Sequence, residues 1–239
     1  MDERHVFERM TVAEVRQALK EGRRTIIIPF GCVEQHGYHL PLNTDTLVAF
    51  ECAVRAARLS GAIVAPPIAY TYSGGELPGT VNVNPNVVAL LVNEVVASLA
   101  SQGFRRVILF QGHGGTEMKA ALHDGMTMFM RHRREFPGLV ILRCVTIDFS
   151  PTWQRDFAGR DYHAGSTETS LMLHLAPDLV RMDRVTLDRE DIAEMMRRDP
   201  DDYQVSVCDV DTPHTLPRIS QHPDIEVGAD RTVHIAYYD

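Results

Sequence analysis

Ile26-Ile27-Ile28-Pro29-Phe30-Gly31-Cys32-Val33-Glu34-Gln35-His36-Gly37-Tyr38-His39-Leu40-Pro41-Leu42-Asn43-Thr44-Asp45 joins an apolar, β-branched run to a loop carrying a carboxylate, an imidazole and a second carboxylate. An uninterrupted apolar run is the pattern of a strand buried on both faces, so the polar residues that follow lie at a strand end. Alternate side chains of extended backbone share a face, which points Glu34 and His36 the same way. The turn over 37–41 lets Asp45 fold back towards them. Oxygen and nitrogen donors converging on one spot suit a divalent metal ion. Each residue also has an ordinary reading: His36 as a loop histidine, Glu34 as a solvated charge, and Asp45 as the N-cap of the helix that starts there. What separates the two readings is whether matching groups recur along the chain.

Working outward, 11–19 places Val12, Val15 and Leu19 at helical spacing behind Thr11 and Glu14, a capping box. A strand is expected over 24–29. The stretch 45–59 reads as a helix with a broad buried face, stopped by Ser60-Gly61. A second strand over 62–65 ends at Pro66-Pro67, and 70–80 is a loop rich in turn formers. Pro85 and Gly103 bracket a helix over 85–100. A third strand, 106–110, runs into Gln111-Gly112-His113-Gly114-Gly115, and a helix follows from 116 to about 131, with Met118, Met126, Met128 and Met130 read as core filler. A fourth strand is expected over 139–147. The stretch 148–162, which holds the single tryptophan Trp153, reads as irregular. It leads to His163-Ala164-Gly165-Ser166-Thr167-Glu168-Thr169-Ser170 and a helix through 175. The pattern weakens beyond 177: a charged stretch over 181–198 with a short helix, a break at Asp199-Pro200-Asp201-Asp202, and one more strand within 227–237. Strands alternating with helices predict an α/β fold with a mostly parallel sheet and helices on both faces. Loops after such strands lie at the sheet's carboxyl edge, where open α/β folds bind ligands; Glu34, His36 and His113 are all on loops of this kind.

With 239 residues, 44% of them hydrophobic, the chain is expected to form one domain over 1–239. A formal charge of −8, from 24 basic and 32 acidic residues, argues against a nucleic-acid partner. The basic cluster Arg131-His132-Arg133-Arg134 suits a helix C-terminus. Cys32, Cys52, Cys144 and Cys208 are widely spaced without a C-x-x-C pair, which fits cytosolic thiols better than a disulfide framework or a zinc finger. Met1-Asp2-Glu3-Arg4-His5 opens no apolar signal region, and no run approaches the length of a membrane span. A cytoplasmic protein without a membrane partner is expected.

The groups that match the opening loop lie at two further junctions. Gly112-His113-Gly114-Gly115 sets an imidazole among glycines at a strand end, where the backbone can approach a ligand closely. It lacks the Gly-Lys-Ser/Thr ending of a phosphate cradle, and a tight turn with a satisfied histidine accounts for it equally well taken alone. Glu117 reads as a charge suited to a helix N-terminus. His163 and Glu168 share the third junction, where Ser166 to Glu168 falls one residue short of a capping box. Together these make three carboxylates and two imidazoles from three strand ends, with His163 left for proton transfer. That count fits two metal ions sharing a carboxylate.

These segments, Gly31-Cys32-Val33-Glu34-Gln35-His36-Gly37 with His39-Leu40-Pro41-Leu42 and Thr44-Asp45, then Gly112-His113-Gly114-Gly115, then His163-Ala164-Gly165 with Glu168-Thr169-Ser170, resemble the signature of the creatininase (creatinine amidohydrolase) family. The likeness runs from about residue 24 to residue 176, and Leu77-Pro78-Gly79-Thr80 matches a further short motif. It implies a three-layer α/β/α sandwich in a closed homo-oligomer, a homohexamer in the family. It also implies two divalent ions, zinc or manganese: Glu34 and His113 on one, His36 on the other, Asp45 bridging. A glutamate ligand of creatininase falls at Gly115, so that duty passes to Glu168, which could instead orient the attacking water. His163 matches the general acid/base. Gly114 replaces a tyrosine and Thr116 an asparagine; the loop over 73–76 is short and lacks a histidine, and a C-terminal Gly-Asp-Pro segment is absent. Creatinine is therefore not the expected substrate. Family relatives also cleave formamides, peptide bonds and, by C–C hydrolysis, the ring of 3-dehydro-scyllo-inosose. The resemblance thus implies a hydrolase that uses water activated by two ions to open or cleave a small cyclic carbonyl substrate, either a cyclic amide or an inositol-derived diketone. The alternative is a small-molecule (polyol) binding protein that keeps the fold without catalysis.

Overall fold

β1 (Thr25–Phe30) is the strand expected over 24–29, and Ile26 through Phe30 are buried. In this computed structural model, which describes residues 3–74, 79–159, 161, 163–184, 224–227 and 233–236, it is flanked by β2 (Ile63–Val64) and β3 (Arg106–Gln111), with β4 (Val140–Val145) beyond β3. The order β2-β1-β3-β4 is parallel throughout, and Phe30, Gln111 and Val145 end on one rung, so three strands stop at the same level. The alternation of β1 side chains divides the core. Ile26, Ile28 and Phe30 pack with α1 (Val12–Lys20), α3 (Pro85–Gln102) and α4 (Thr116–His132), whereas Ile27 and Val64 pack with Ala53, Val54 and Ala57 of α2 (Thr44–Ser60). Helices therefore cover both faces.

Local chemistry sets the helix ends. Thr11 N donates to Glu14 Oε2 (2.7 Å) and Glu14 N to Thr11 Oγ1 (3.4 Å), the capping box expected from sequence. Asn84 caps α3, Pro85 occupies its first turn, and Gly103 ends it at φ 116°, where a side chain would be strained. Where α3 meets α4, a Cβ on Gly125 would lie 2.6 Å from Ala89 O, so this crossing depends on glycine.

Several expectations change. α2 begins at Thr44, so Asp45 sits inside the first turn and is not its N-cap. The fourth strand ends at Val145, and Thr146–Asp148 forms a 3-10 turn. The stretch read as irregular contains α5 (Pro151–Ala158), started by Ser150, which accepts from Trp153 N, and Pro151; two turns are too few to display a period. Met118 is buried, but Met130 is 55% exposed and is not core filler. α6 (Ser166–Leu175) matches the expected helix. β5 (Asp224–Val227) pairs antiparallel with β6 (Val233–Ala236); β6 falls in the expected last strand, and β5 was not anticipated. Of the stretch 181–198, only 181–184 are described, with a 3-10 turn at Met182–Arg184; the remainder, the break at 199–202, and 75–78 of the 70–80 loop lie outside the described residues.

The chain forms two compact units, 1–33 with 45–73 and 81–146, and 34–44 with 74–80 and 147–239, so it crosses between them at 33/34, 44/45, 73/74, 80/81 and 146/147. The first unit holds the parallel sheet; the second holds the 34–44 loop, α5, α6 and the β5–β6 pair. Among the described residues no helix is long and apolar enough to cross a membrane.

Candidate metal centre

In the first unit the turn after β3 is drawn against α2. Gly112 N donates to Phe30 O (2.8 Å), and a Cβ on Gly112 would collide with the carbonyl of Asp45. Arg143 Nη1 donates to the buried Gln111 Oε1 (2.7 Å), and Gln111 Nε2 donates to His113 O (3.3 Å), which tethers the histidine's backbone. His113 Nδ1 then lies 3.4 Å from Asp45 Oδ2. A Cβ on Gly115 would overlap the His113 ring at Nε2, so a side chain there requires the ring to shift, whereas a Cβ on Gly114 would meet nothing within 4 Å. Cys32 Sγ donates to Asp45 Oδ2 at 2.8 Å.

In the second unit the 34–44 loop closes on itself. Glu34 N donates to Leu42 O (2.9 Å), Leu40 N to His36 O (3.4 Å), and Gly37 takes φ 64°. Glu34, His36 and His39 are buried. A carbonyl can only accept, so the 3.1 Å contact between His36 Nδ1 and Glu34 O places the ring hydrogen on Nδ1 and leaves a lone pair on Nε2. That Nε2 faces Glu168 Oε2 at 3.6 Å. His163 is turned the other way: its Nε2 lies 2.7 Å from Gln35 O, and Nδ1 looks towards Glu34 Oε1 at 3.8 Å. The Gln35 amide nitrogen lies 3.1 Å from the same Nε2, and Gln35 Oε1 accepts from Gly37 N (3.1 Å). The His36 and His163 rings are 4.3 Å apart, and one ligand atom from each of Glu34, His36 and His163 falls within 4.8 Å of the others.

α6 presents Glu168 from its first turn. Its N-terminus is capped from upstream by Asp161, whose Oδ2 accepts from Ser166 Oγ (2.5 Å) and Thr167 N (3.1 Å), while Thr167 Oγ1 donates to Asp156 Oδ2 (2.8 Å). Ala164, buried at φ 52°, occupies a left-handed conformation unusual for alanine and donates its N–H to Glu168 Oε2 (2.6 Å). His39 Nε2 bonds Thr169 Oγ1 (2.9 Å); burial, with His36 close by, holds the His39 imidazole down to about 4. The structure thus brings Glu34, His36, His163 and Glu168 together in one unit and Asp45 with His113 in the other. Sequence reasoning missed the supporting residues Cys32, Gln35, Gln111, Arg143, Asp161 and Ala164. Gln111 and Arg143 left a trace as polar side chains within apolar strands, but the conformation of Ala164 left none.

The donors fit a divalent cation. His36 Nε2 and Glu168 Oε2, both acceptors, face each other at 3.6 Å, an arrangement that a positive charge between them, a proton or a metal ion, stabilises. Imidazole and carboxylate donors are those of zinc and manganese sites.

The sequence model of the creatininase family, described as creatinine amidohydrolase, matches residues 8–215. The chain is 30% identical to a creatinine amidohydrolase from Pseudomonas putida over 194 residues, 74% of each chain. It is 35% identical to a mycofactocin precursor peptide peptidase from Mycolicibacterium smegmatis over 182 residues, covering 72% of this chain and 67% of the relative. It is 30% identical to a 3-dehydro-scyllo-inosose hydrolase from Thermotoga maritima over 186 residues, 74% of this chain and 58% of the relative. Among solved structures, creatinine amidohydrolase (creatininase) matches with a TM-score of 0.68 at 28% identity, covering 76% of both chains. A mutant creatininase of Zn-Zn type matches at 0.67 and 28% identity, covering 75% of both chains. The structure described as creatininase Mn matches at 0.66 and 28%, over 75% of this chain and 76% of that one.

Proposed function

Because the chain belongs to the creatininase family of hydrolases, we propose that it hydrolyses a C–N amide bond of a small carbonyl substrate. In this reading Glu34, His36, Asp45, His113 and Glu168 hold two divalent ions, zinc or manganese, with Asp45 bridging, and His163 moves the proton. The observation that carries it is the pair of imidazoles turned in opposite senses beside Glu34: His36 directs Nε2 to Glu168, while His163 holds Nε2 against Gln35 O and directs Nδ1 to Glu34. When bound, the ions supply Lewis acidity and bring a water's pKa towards neutrality.

The protein's own contribution is orientation and proton traffic. With Nε2 committed to Gln35 O, His163 exchanges its proton at Nδ1, beside Glu34 Oε1. A general acid/base held in this way contributes about 10²–10⁴-fold to the rate. The Ala164 N–H fixes Glu168 Oε2, and Asp161 keeps that turn of α6 in place.

Amide cleavage is favoured over C–C cleavage because the relative at 35% identity is named a precursor peptide peptidase, while the creatinine amidohydrolase and the 3-dehydro-scyllo-inosose hydrolase stand equal at 30%. Ring opening of an inosose needs the same water and the same acid. A panel of cyclic amides, N-formyl amines, short peptides and inososes, scored by product mass on metal-free and metal-loaded protein, tests the choice. Chelator-sensitive cleavage of an amide is expected. Turnover of inososes alone would shift the reading to C–C hydrolysis, a rate indifferent to chelator would sink the metal scheme, and polyol binding by the metal-free protein without turnover would favour a non-catalytic binder. A closed homo-oligomer in the cytoplasm belongs to the same proposal, and sedimentation and cell fractionation test it.

A further inference from the structure

Cys32 lies two residues beyond β1 and is fully buried. The scheme above leaves it without a role, yet its sulfur is 2.8 Å from Asp45 Oδ2. In this contact the thiol S–H donates and the carboxylate oxygen accepts. The same oxygen lies 3.4 Å from His113 Nδ1. Two further features register the backbone here: Thr46 Oγ1 donates to Cys32 O (3.2 Å), and Gly31 has no room for a side chain because the Thr46 backbone occupies it. These contacts fix where α2 starts relative to the end of β1. The thiol reaches past the backbone to the carboxylate itself.

We propose that Cys32 is a positioning residue of the metal centre, whose S–H holds Asp45 Oδ2 and so sets the torsion of the carboxylate assigned as the bridge. The inference rests on the reading of Asp45 as a metal ligand. A carboxylate turns freely about its last bond, because that torsion is broad. A donor fixed on one oxygen removes the freedom before any ion arrives, and loss of such an outer partner typically weakens metal binding about 10–100-fold. Because S–H is a weak donor, the contribution is orientation more than bond strength. Serine, a hydroxyl in nearly the same place, can replace it; alanine cannot.

The test is zinc affinity of the full-length protein, measured by competition with a chromophoric chelator for wild type, Cys32→Ser and Cys32→Ala, alongside the melting temperature of each metal-free form. Cys32→Ala is expected to bind zinc at least about tenfold more weakly, and Cys32→Ser within about threefold of wild type on the same scale, with the two metal-free variants melting alike. An unchanged affinity in Cys32→Ala overturns the proposal. So does equal weakening in both variants, which would make the residue a matter of packing. Should Cys32→Ala fail to fold, the infrared S–H band of the metal-free wild type, assigned by its loss in Cys32→Ser, decides. A band lowered in frequency that rises in Asp45→Asn supports donation to the carboxylate; a band unmoved by Asp45→Asn rules it out. A wild type that binds no divalent ion sinks the parent reading, whereas a wild type that binds zinc no better than Cys32→Ala sinks only the role of Cys32.

Discussion

A single carbonyl decides what His36 can do. With Nδ1 donating to Glu34 O, its ring offers Nε2 as a ligand atom, and Glu168 Oε2 stands opposite. His36→Ala and Glu168→Gln are each expected to lower bound zinc or manganese at least about tenfold by elemental analysis of gel-filtered protein. His163→Ala should keep its ions and lose about a hundredfold or more in kcat; loss of metal as well would make His163 a ligand. His39 gives a separate signal. Its folded pKa, about 4, lies below the ordinary 6.5 because the ring is buried, so between those values the unfolded chain binds the extra proton. Its contribution is full above about pH 6.5 and is lost as pH falls towards 4, worth about 3 kcal/mol at most. Urea titrations of the metal-free protein should show this slope flattened in His39→Gln. Loop position and spacing in the sequence singled out Glu34, His36, His113 and Glu168 as candidates. It could not disclose that His39 bonds Thr169, because 130 residues separate them and no local pattern links their side chains.

At the scale of elements, the turn between β3 and α4 shows how closely backbone can approach a site. Gly112 is pressed on the Asp45 carbonyl and Gly115 on the His113 ring, while Gly114 faces open space. Gly115→Ala is expected to displace the His113 ring and weaken metal binding about tenfold or more, whereas Gly114→Ala should leave metal affinity and melting temperature unchanged; calorimetric titration of both variants checks the contrast. The glycine run itself was visible in the sequence, but the close approach that excludes a side chain at Gly112 comes from Asp45, 67 positions upstream. Elements bounded by strong punctuation were legible: Thr11 with Glu14, and Pro85 with Gly103, mark ends that side-chain and backbone chemistry fixes locally. α5 was hidden because eight residues show too little periodicity, although Ser150-Pro151 is a start signal. The strain at Ala164 is imposed by its surroundings, which hold a buried alanine where glycine is usual.

For the molecule as a whole, alternating strands and helices made the parallel sheet readable, since four short apolar runs with helices between them leave few alternatives. The division into two interleaved units was not readable, because it depends on which distant segments pack together. If both ion sites are as proposed, folding and metal binding are linked: at a free ion concentration 100 times the dissociation constant each ion adds about 2.7 kcal/mol. Melting temperature should therefore rise with zinc or manganese in the wild type and rise less in Asp45→Asn. Interleaving also gives the protein a timetable. Gln35 and its partner His163 are 128 residues apart, so at about 5–20 residues per second the ribosome delivers the second roughly 6–25 s after the first. Throughout that interval the nascent 34–44 loop lacks the α6 side chains that hold it, and the chain cannot finish its second unit until synthesis has passed Glu168. If the ion sites are as proposed, metal capture comes late in synthesis, and a chain terminated before Glu168 lacks one of its ligands.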